Sequence, residues 1–221
     1  MRIIVTGSAG ILGTAVVQTL LARSHAVVGI DRKKNTELPD TAHQIIADNL
    51  ADRQGAATAI AEAERLVGGI DGLVHLVGGF DWVPVEQSTL ETWRTLYSVN
   101  VETALSTILA ALPAMSEGGA ILCVGAAAAN QAQAGMAPYT AAKSGVARMV
   151  EALSAEVKTR KIRINAVLPS IIDTPRNRAD MPDANPDEWT KPVAIADVVD
   201  FLLSDNARAI NGALIPVTNN A

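Results

Sequence analysis

The chain has 221 residues, 49% hydrophobic and 19% charged, with 18 Lys+Arg against 23 Asp+Glu for a net charge of −5. That size suits one α/β domain with one core, and the balance excludes a disordered or fibrous chain. Aromatics are only 3% beside 38 alanines, and the one basic tract is Arg32, Lys33 and Lys34, which leaves no base-stacking surface or electrostatic footprint for nucleic acid.

The residues from Ile3 to Ala22 carry no charge and are long enough to span a bilayer, but Gly7, Gly10 and Gly13 interrupt them. With Thr6, Ser8, Thr14 and Gln18 added, the stretch reads as strand, glycine turn and helix, and no membrane role is expected. Further short apolar runs follow at Ala26–Ile30, Ile45–Ala47, Leu73–Val77, Ala120–Val124, Ile164–Leu168 and Ala213–Val217. Helical segments lie between them at Leu12–Ala22, Ala51–Val67, Val101–Met115, Ala141–Thr159 and Ile195–Leu203. Strands alternating with helices, with strands apolar throughout, predict a parallel sheet covered on both faces. The stretch 173–192, with four prolines and Trp189, breaks the rhythm and reads as a lid or binding loop on a single domain spanning 1–221. The lone Cys123 excludes an intrachain disulfide and fits a reducing, cytoplasmic setting. No metal site is expected.

Thr6-Gly7-Ser8-Ala9-Gly10-Ile11-Leu12-Gly13 follows the first strand directly and opens the first helix, the context that gives a glycine motif its weight. Gly7 allows the tight turn, Gly10 lets backbone approach a pyrophosphate, and Gly13 lets the helix pack on the strand. The helix N-terminus favours phosphate charge, and the fold expected is a Rossmann-type, doubly wound, seven-stranded parallel sheet. Asp31 ends the second strand, where a carboxylate accepts hydrogen bonds from the adenosine ribose hydroxyls and repels a 2′-phosphate. NAD(H) is therefore favoured, while Arg32, Lys33 and Lys34 keep NADP(H) open. Asp48 and Asn49, after the third strand, are further candidates for the adenine edge. Tyr139 and Lys143 stand four residues apart, on one face of a helix, where an ammonium near a phenol makes a usable proton donor.

Together these residues resemble the short-chain dehydrogenase/reductase family over essentially the whole chain. Thr6–Gly13 matches its cofactor turn, Tyr139 and Lys143 its catalytic pair, and Asn100 in Ser98-Val99-Asn100-Val101 its helix asparagine. Asn165-Ala166-Val167-Leu168-Pro169 matches the segment before the substrate loop. The resemblance implies that Tyr139 donates the proton, Lys143 holds the nicotinamide ribose and tunes Tyr139, and Asn100 organises a relay water. Gly78, Pro169, Ile172 and Thr174 would border the cofactor.

Two departures matter. The family's serine, about thirteen residues before the tyrosine, is Ala126 here, and losing such a donor costs ~3 kcal/mol of transition-state stabilisation. The segment after the fourth strand reads His75-Leu76-Val77-Gly78, in which His75 is expected to be a strand residue. One branch of the family, the quinonoid dihydropteridine reductases, is similar in both respects, in Gly78-Gly79-Phe80, and in the run from Leu168 to Arg178 with Trp189 beyond. This implies a flat, activated C=N or quinonoid small-molecule substrate, with Phe80 and Trp82 walling the pocket beside Ala126 and Trp189 closing it. The alternatives are a carbonyl or alcohol oxidoreductase with the serine replaced, and a non-catalytic dinucleotide-binding protein. A homodimer or homotetramer is expected, through small residues (Ala104, Ala110, Ala111, Ala141, Ala142, Ala147) on the helices near Val101 and Ala141.

Overall fold

A computed structural model describes residues 1–219. Seven parallel strands form one sheet: β1 (Arg2–Thr6), β2 (Ala26–Asp31), β3 (His43–Ile46), β4 (Ile70–His75), β5 (Met115–Val124), β6 (Arg163–Pro169) and β7 (Leu214–Val217). Their order is β3-β2-β1-β4-β5-β6-β7. The chain winds outward from β1 to β3, then returns to the other side of β1 with β4. The crevice at that reversal lies beyond the carboxyl ends of β1 and β4, where α/β sheets of this kind take ligands. Thr6, Asp31, His75, Val124 and Pro169 are the last residues of their strands and bring the site chemistry to that edge.

Helices α1 (Ile11–Ala22) and α7 (Pro192–Leu203) cover one face, packing Val16, Val17, Leu20, Ile195, Val199 and Leu202 on β1, β4 and β5. Helices α2 (Arg53–Val67), α4 (Thr103–Ala111) and α5 (Ala137–Glu156) cover the other, around Ile4, Ile30, Ile60, Leu73, Ile108, Ile121 and Val146. Burial on both faces explains why the strands lack polar alternation. Arg163 closes the α7 side from within: its guanidinium, 8% exposed, donates to the Leu202, Leu203 and Ser204 carbonyl oxygens at the carboxyl end of the helix.

Three features go beyond the sequence pattern or against it. A helix α3 (Leu90–Tyr97) precedes α4 and joins it through one wide π-turn, Ser98–Glu102. It buries only Leu96, so it leaves no apolar period in the sequence. The excursion 173–192 is pinned at its roots: Asp173 N–H donates to Thr190 O and Thr190 N–H to Ile171 O, both at 2.9 Å. Within it Thr174 caps a short helix α6 (Pro175–Asp180), and Pro192 sits in the first turn of α7, where its missing N–H costs nothing. Finally, Ala104, Ala111, Ala142 and Ala147 are buried in this chain's own core. Of the small residues expected at an interface, only Ala110 and Ala141 retain exposed surface.

No helix among the described residues is long and apolar enough to cross a membrane. Among the same residues no cluster of His, Cys, Asp and Glu is arranged to hold a metal ion.

Candidate active site

The glycine turn is built by backbone. Gly7 N–H donates to Ile30 O at 2.9 Å, so the turn hangs from the neighbouring strand β2. Helix and strand then close on each other so tightly that a Cβ on Gly13 would lie 2.0 Å from Gly7 O. Gly10 starts α1 with no side-chain cap and no acidic residue in the first turn, so that its N–H groups and positive dipole end face the crevice. A residue that spacing could not reveal completes the turn. Asn35, 6% exposed, donates to Ser8 O at 3.0 Å and to Thr14 Oγ1 at 2.7 Å, reaching in from the loop after β2.

Two adjoining cavities share Gly7, Gly10 and Leu76. The smaller, about 480 Å³, is bordered by Ile11, Leu12 and Gly13 on one side and by Ile172, Thr174 and Arg176 on the other. The larger, about 750 Å³, runs past Asp31, Arg32, Lys33, Asp48 and Asn49 to Gly78, and its outer rim is α3 with Glu91, Arg94 and Thr95. The structure thus brings together the predicted residues of the turn, the second and third strand ends and the 172–174 segment. Lys34 borders neither cavity. Asp31 is preset: its carboxylate accepts from Ala9 N–H at 2.9 Å and from Arg32 N–H at 2.7 Å, which aims it across the turn and leaves lone pairs for a ribose diol. Arg176 reaches the smaller cavity, whereas Arg178 is held in a two-pronged pair with Asp173 at 2.6 and 2.8 Å. The shape, the bare helix end and the glycine floor fit a dinucleotide, which would lie along this crevice.

Beyond Gly78 lies the cluster of Asn100, Tyr139 and Lys143. Tyr139 is in the first turn of α5, and Lys143, 6% exposed, donates from Nζ to Val124 O at 2.9 Å. Burial lowers the Lys143 pKa to about 8 and pushes the Tyr139 phenol up to about 12. The hydrogen bond directs the lysine to the strand end, and desolvation by burial is the main cause of both shifts. Gly78 separates the cavity from this lysine, since a Cβ there would stand 2.8 Å from Asn100 Oδ1 and 3.1 Å from Lys143 Nζ. Asn100, 1% exposed and inside the π-turn, donates to Gly79 O and Leu96 O and accepts from Gly79 N–H. Its amide clamps the double glycine.

His75 is a strand residue, as expected. It is 2% exposed, its ring nitrogens meet Thr6 Oγ1 at 2.8 Å and Thr103 Oγ1 at 3.2 Å, and burial beside Lys143 drops its pKa to about 3, so it stays neutral. Cys123, one residue before Val124, is fully buried and its thiol is pushed up to about 12. It is inert packing. Trp189, expected over the pocket, is instead 4% exposed, borders neither cavity and roots the excursion. Ala126 is buried two residues past the end of β5, and the hydroxyls of Thr140 and Ser144 on α5 are turned to the carbonyl oxygens of Met136 and Ala129.

Residues 1–185 match the family described as short chain dehydrogenase. The chain belongs to this family. The Inactive 2-(S)-hydroxypropyl-CoM dehydrogenase 2 of Xanthobacter autotrophicus is 31% identical over 188 residues, covering 78% of this chain and 82% of that protein. The blue fluorescent protein from a metagenomic library, solved in complex with NADPH, superposes with a TM-score of 0.88 at 26% identity, covering 99% of this chain and 96% of that one. The 3-ketoacyl-(acyl-carrier-protein) reductase of Brucella melitensis, solved with NADH, has a TM-score of 0.86 at 24% identity, covering 98% and 96%. As a short-chain dehydrogenase, the protein is an oxidoreductase by family, and its Rossmann-type sheet matches those of its structural neighbours.

Proposed function

We propose that the protein is an NAD(P)H-dependent reductase of a flat, activated C=N or quinonoid substrate of dihydropteridine type. The observation that carries this reading is Ala126: the chain keeps the Tyr139 and Lys143 pair, yet the buried position 126 carries no side-chain hydroxyl to serve as a second donor to a carbonyl oxygen. A substrate that regains conjugation on reduction needs less of that help. The hydroxyls of Thr140 and Ser144, already donated to backbone, make poor substitutes for the serine, which weighs against the carbonyl alternative.

A nicotinamide cofactor, when bound, supplies the hydride. The chain's own residues do the rest. The turn from Gly7 to Gly13 receives the pyrophosphate, and Ile11, Leu12, Ile172 and Thr174 close along it, with Pro169 at the end of β6. Asp31 takes the adenosine ribose and favours NAD(H), with Asp48 and Asn49 beyond it, while Arg32 and Lys33 border the place of a 2′-phosphate. Tyr139 keeps its proton at neutral pH and delivers it to the substrate nitrogen or oxygen. Lys143 holds positive charge beneath it, and Asn100 and Gly78 shape the passage between cofactor and lysine. Phe80 sits edge-on to Tyr139, with Trp82 two residues beyond it. We place the protein in the cytoplasm, where the buried Cys123 thiol stays reduced. Its partner is a second copy packed against the exposed face of α4 at Leu105 and Leu109 and of α5 at Ala141.

Purified protein given NADH and a freshly generated quinonoid dihydropterin tests the reaction. Consumption of NADH that slows strongly in Tyr139→Phe supports it. Tight NADH binding without turnover on pterin, quinone, imine and carbonyl panels would establish the second reading, a non-catalytic dinucleotide-binding protein, which Ala126 and the relative named as inactive favour.

A further inference from the structure

Phe80 and Trp82 follow the double glycine, and both are well exposed, at 43% and 61%. Neither is a free wall. The Phe80 ring meets Tyr139 edge-on, with centroids 4.9 Å apart and planes at 88°, an arrangement that attracts beyond simple burial. The Trp82 indole N–H donates to Ala134 O at 3.1 Å, and its ring lies so close to Gly135 that a Cβ there would stand 2.3 Å from Nε1. Gly135 has φ +77°, a left-handed conformation that glycine tolerates best. Val83 N–H adds a backbone bond to Gly135 O at 2.7 Å. At the other end Asn100 grips Gly79 through both backbone groups, so the segment carrying the aromatics is fixed before it reaches α5. The contacts run in sequence from Asn100 through Gly79 and Phe80 to Tyr139, with a second strap from Trp82 to the strand of chain that enters α5. Among the described residues, no hydrogen bond holds the Tyr139 hydroxyl.

We propose that Phe80 and Trp82 are positioning residues for Tyr139: Phe80 fixes the phenol ring by edge contact and Trp82 fixes the approach to α5. Together they supply the orientation that a serine at position 126 would otherwise help to set. The proposal rests on Tyr139 being the proton donor, and it distinguishes orientation of the phenol from a role of the two aromatics as substrate wall alone.

The sequence contains two tyrosines, so Tyr97→Phe leaves Tyr139 as the only one and makes its titration readable in ultraviolet absorbance without any substrate. In that background Phe80→Leu is expected to bring the phenol's titration down by about one unit, because removing the ring readmits water to a group that desolvation has raised. In the otherwise unaltered protein Phe80→Leu lowers kcat about tenfold with KM and NADH affinity within about twofold, and Phe80→Tyr restores kcat. Trp82→Leu, which frees the approach to α5, is expected to lower kcat likewise with KM retained and serves in its own right should Phe80→Leu fail to fold. Unchanged titration and kcat in the folded variants would overturn the proposal, as would a rise in KM alone, which is the signature of a substrate wall. Full activity of Tyr139→Phe would sink the proton-donor reading on separate grounds, since the titration needs no turnover.

Discussion

Lys143 Nζ donates to the Val124 carbonyl oxygen at 2.9 Å, so the last residue of β5 holds the cation one helical turn from Tyr139. Burial sets the lysine pKa near 8. Its charged form is present below that value and lost above it. With NADH in excess, reductive kcat/KM is expected to be level from neutrality to about pH 8 and to fall as pH rises through it. In Lys143→Arg the fall disappears from this range, because a guanidinium keeps its proton. A profile that is flat through pH 8 in the native protein would remove Lys143 from the proton path.

Ala126→Ser restores a hydroxyl at a buried, extended position, and one oxygen is a small volume to add. Carbonyl reduction is expected to appear or to rise by about 100-fold, the scale of one oriented donor in a transition state. The native reaction changes by less than about threefold, since its substrate needs no such donor. Steady-state rates on a pterin and on a panel of ketones decide the matter, and parallel changes on both would show that position 126 does not select substrate class.

Asp31 accepts the Ala9 N–H, and asparagine can keep that bond through Oδ1 while losing the charge. Asp31→Asn is therefore expected to preserve the turn and to weaken NADH. Its repulsion of a 2′-phosphate goes, and Arg32 and Lys33 remain. The ratio of NADPH to NADH dissociation constants should fall by about 10-fold, read by cofactor fluorescence at low ionic strength. No change in the ratio would mean that the carboxylate serves the turn alone.

His75 ties β1 to α4 through Thr6 and Thr103 and, with a pKa near 3, takes no proton in the working range. His75→Leu leaves the buried Thr6 hydroxyl without this partner and is expected to cost about 1–3 kcal/mol in chemical denaturation. Activity per folded molecule stays close to native. A large loss of kcat in fully folded His75→Leu would instead make the ring part of the chemistry.

Most of the seven strands were legible because each carries an apolar run bounded by turns, which in the central strands is a consequence of burial on both faces of the sheet. Helix α3 was not, because one buried leucine in Leu90–Tyr97 leaves no period to read. Much of the lining of the crevice beside the glycine turn was also legible, as glycines and Asp31 at fixed offsets from strand ends. Asn35 was missed, since its contacts with Ser8 and Thr14 arise from a loop folding back across more than twenty residues. Trp189 was misplaced for a similar reason: composition marks a lid, but the bonds between Ile171, Asp173 and Thr190 that bury the indole's neighbourhood are tertiary.

By itself the sequence determined the sheet, the glycine turn, the Tyr139 and Lys143 pair one helical turn apart, and the missing hydroxyl at Ala126. All of these follow from local periodicity or from the identity of single residues. Only the tertiary structure decided that Lys143 points to the end of β5, that Asn100 clamps Gly79, and that Phe80 and Trp82 turn toward α5. Each of those depends on segments that meet across the sheet's carboxyl edge, and desolvation there, which no one-dimensional pattern encodes, sets the protonation of both Tyr139 and Lys143.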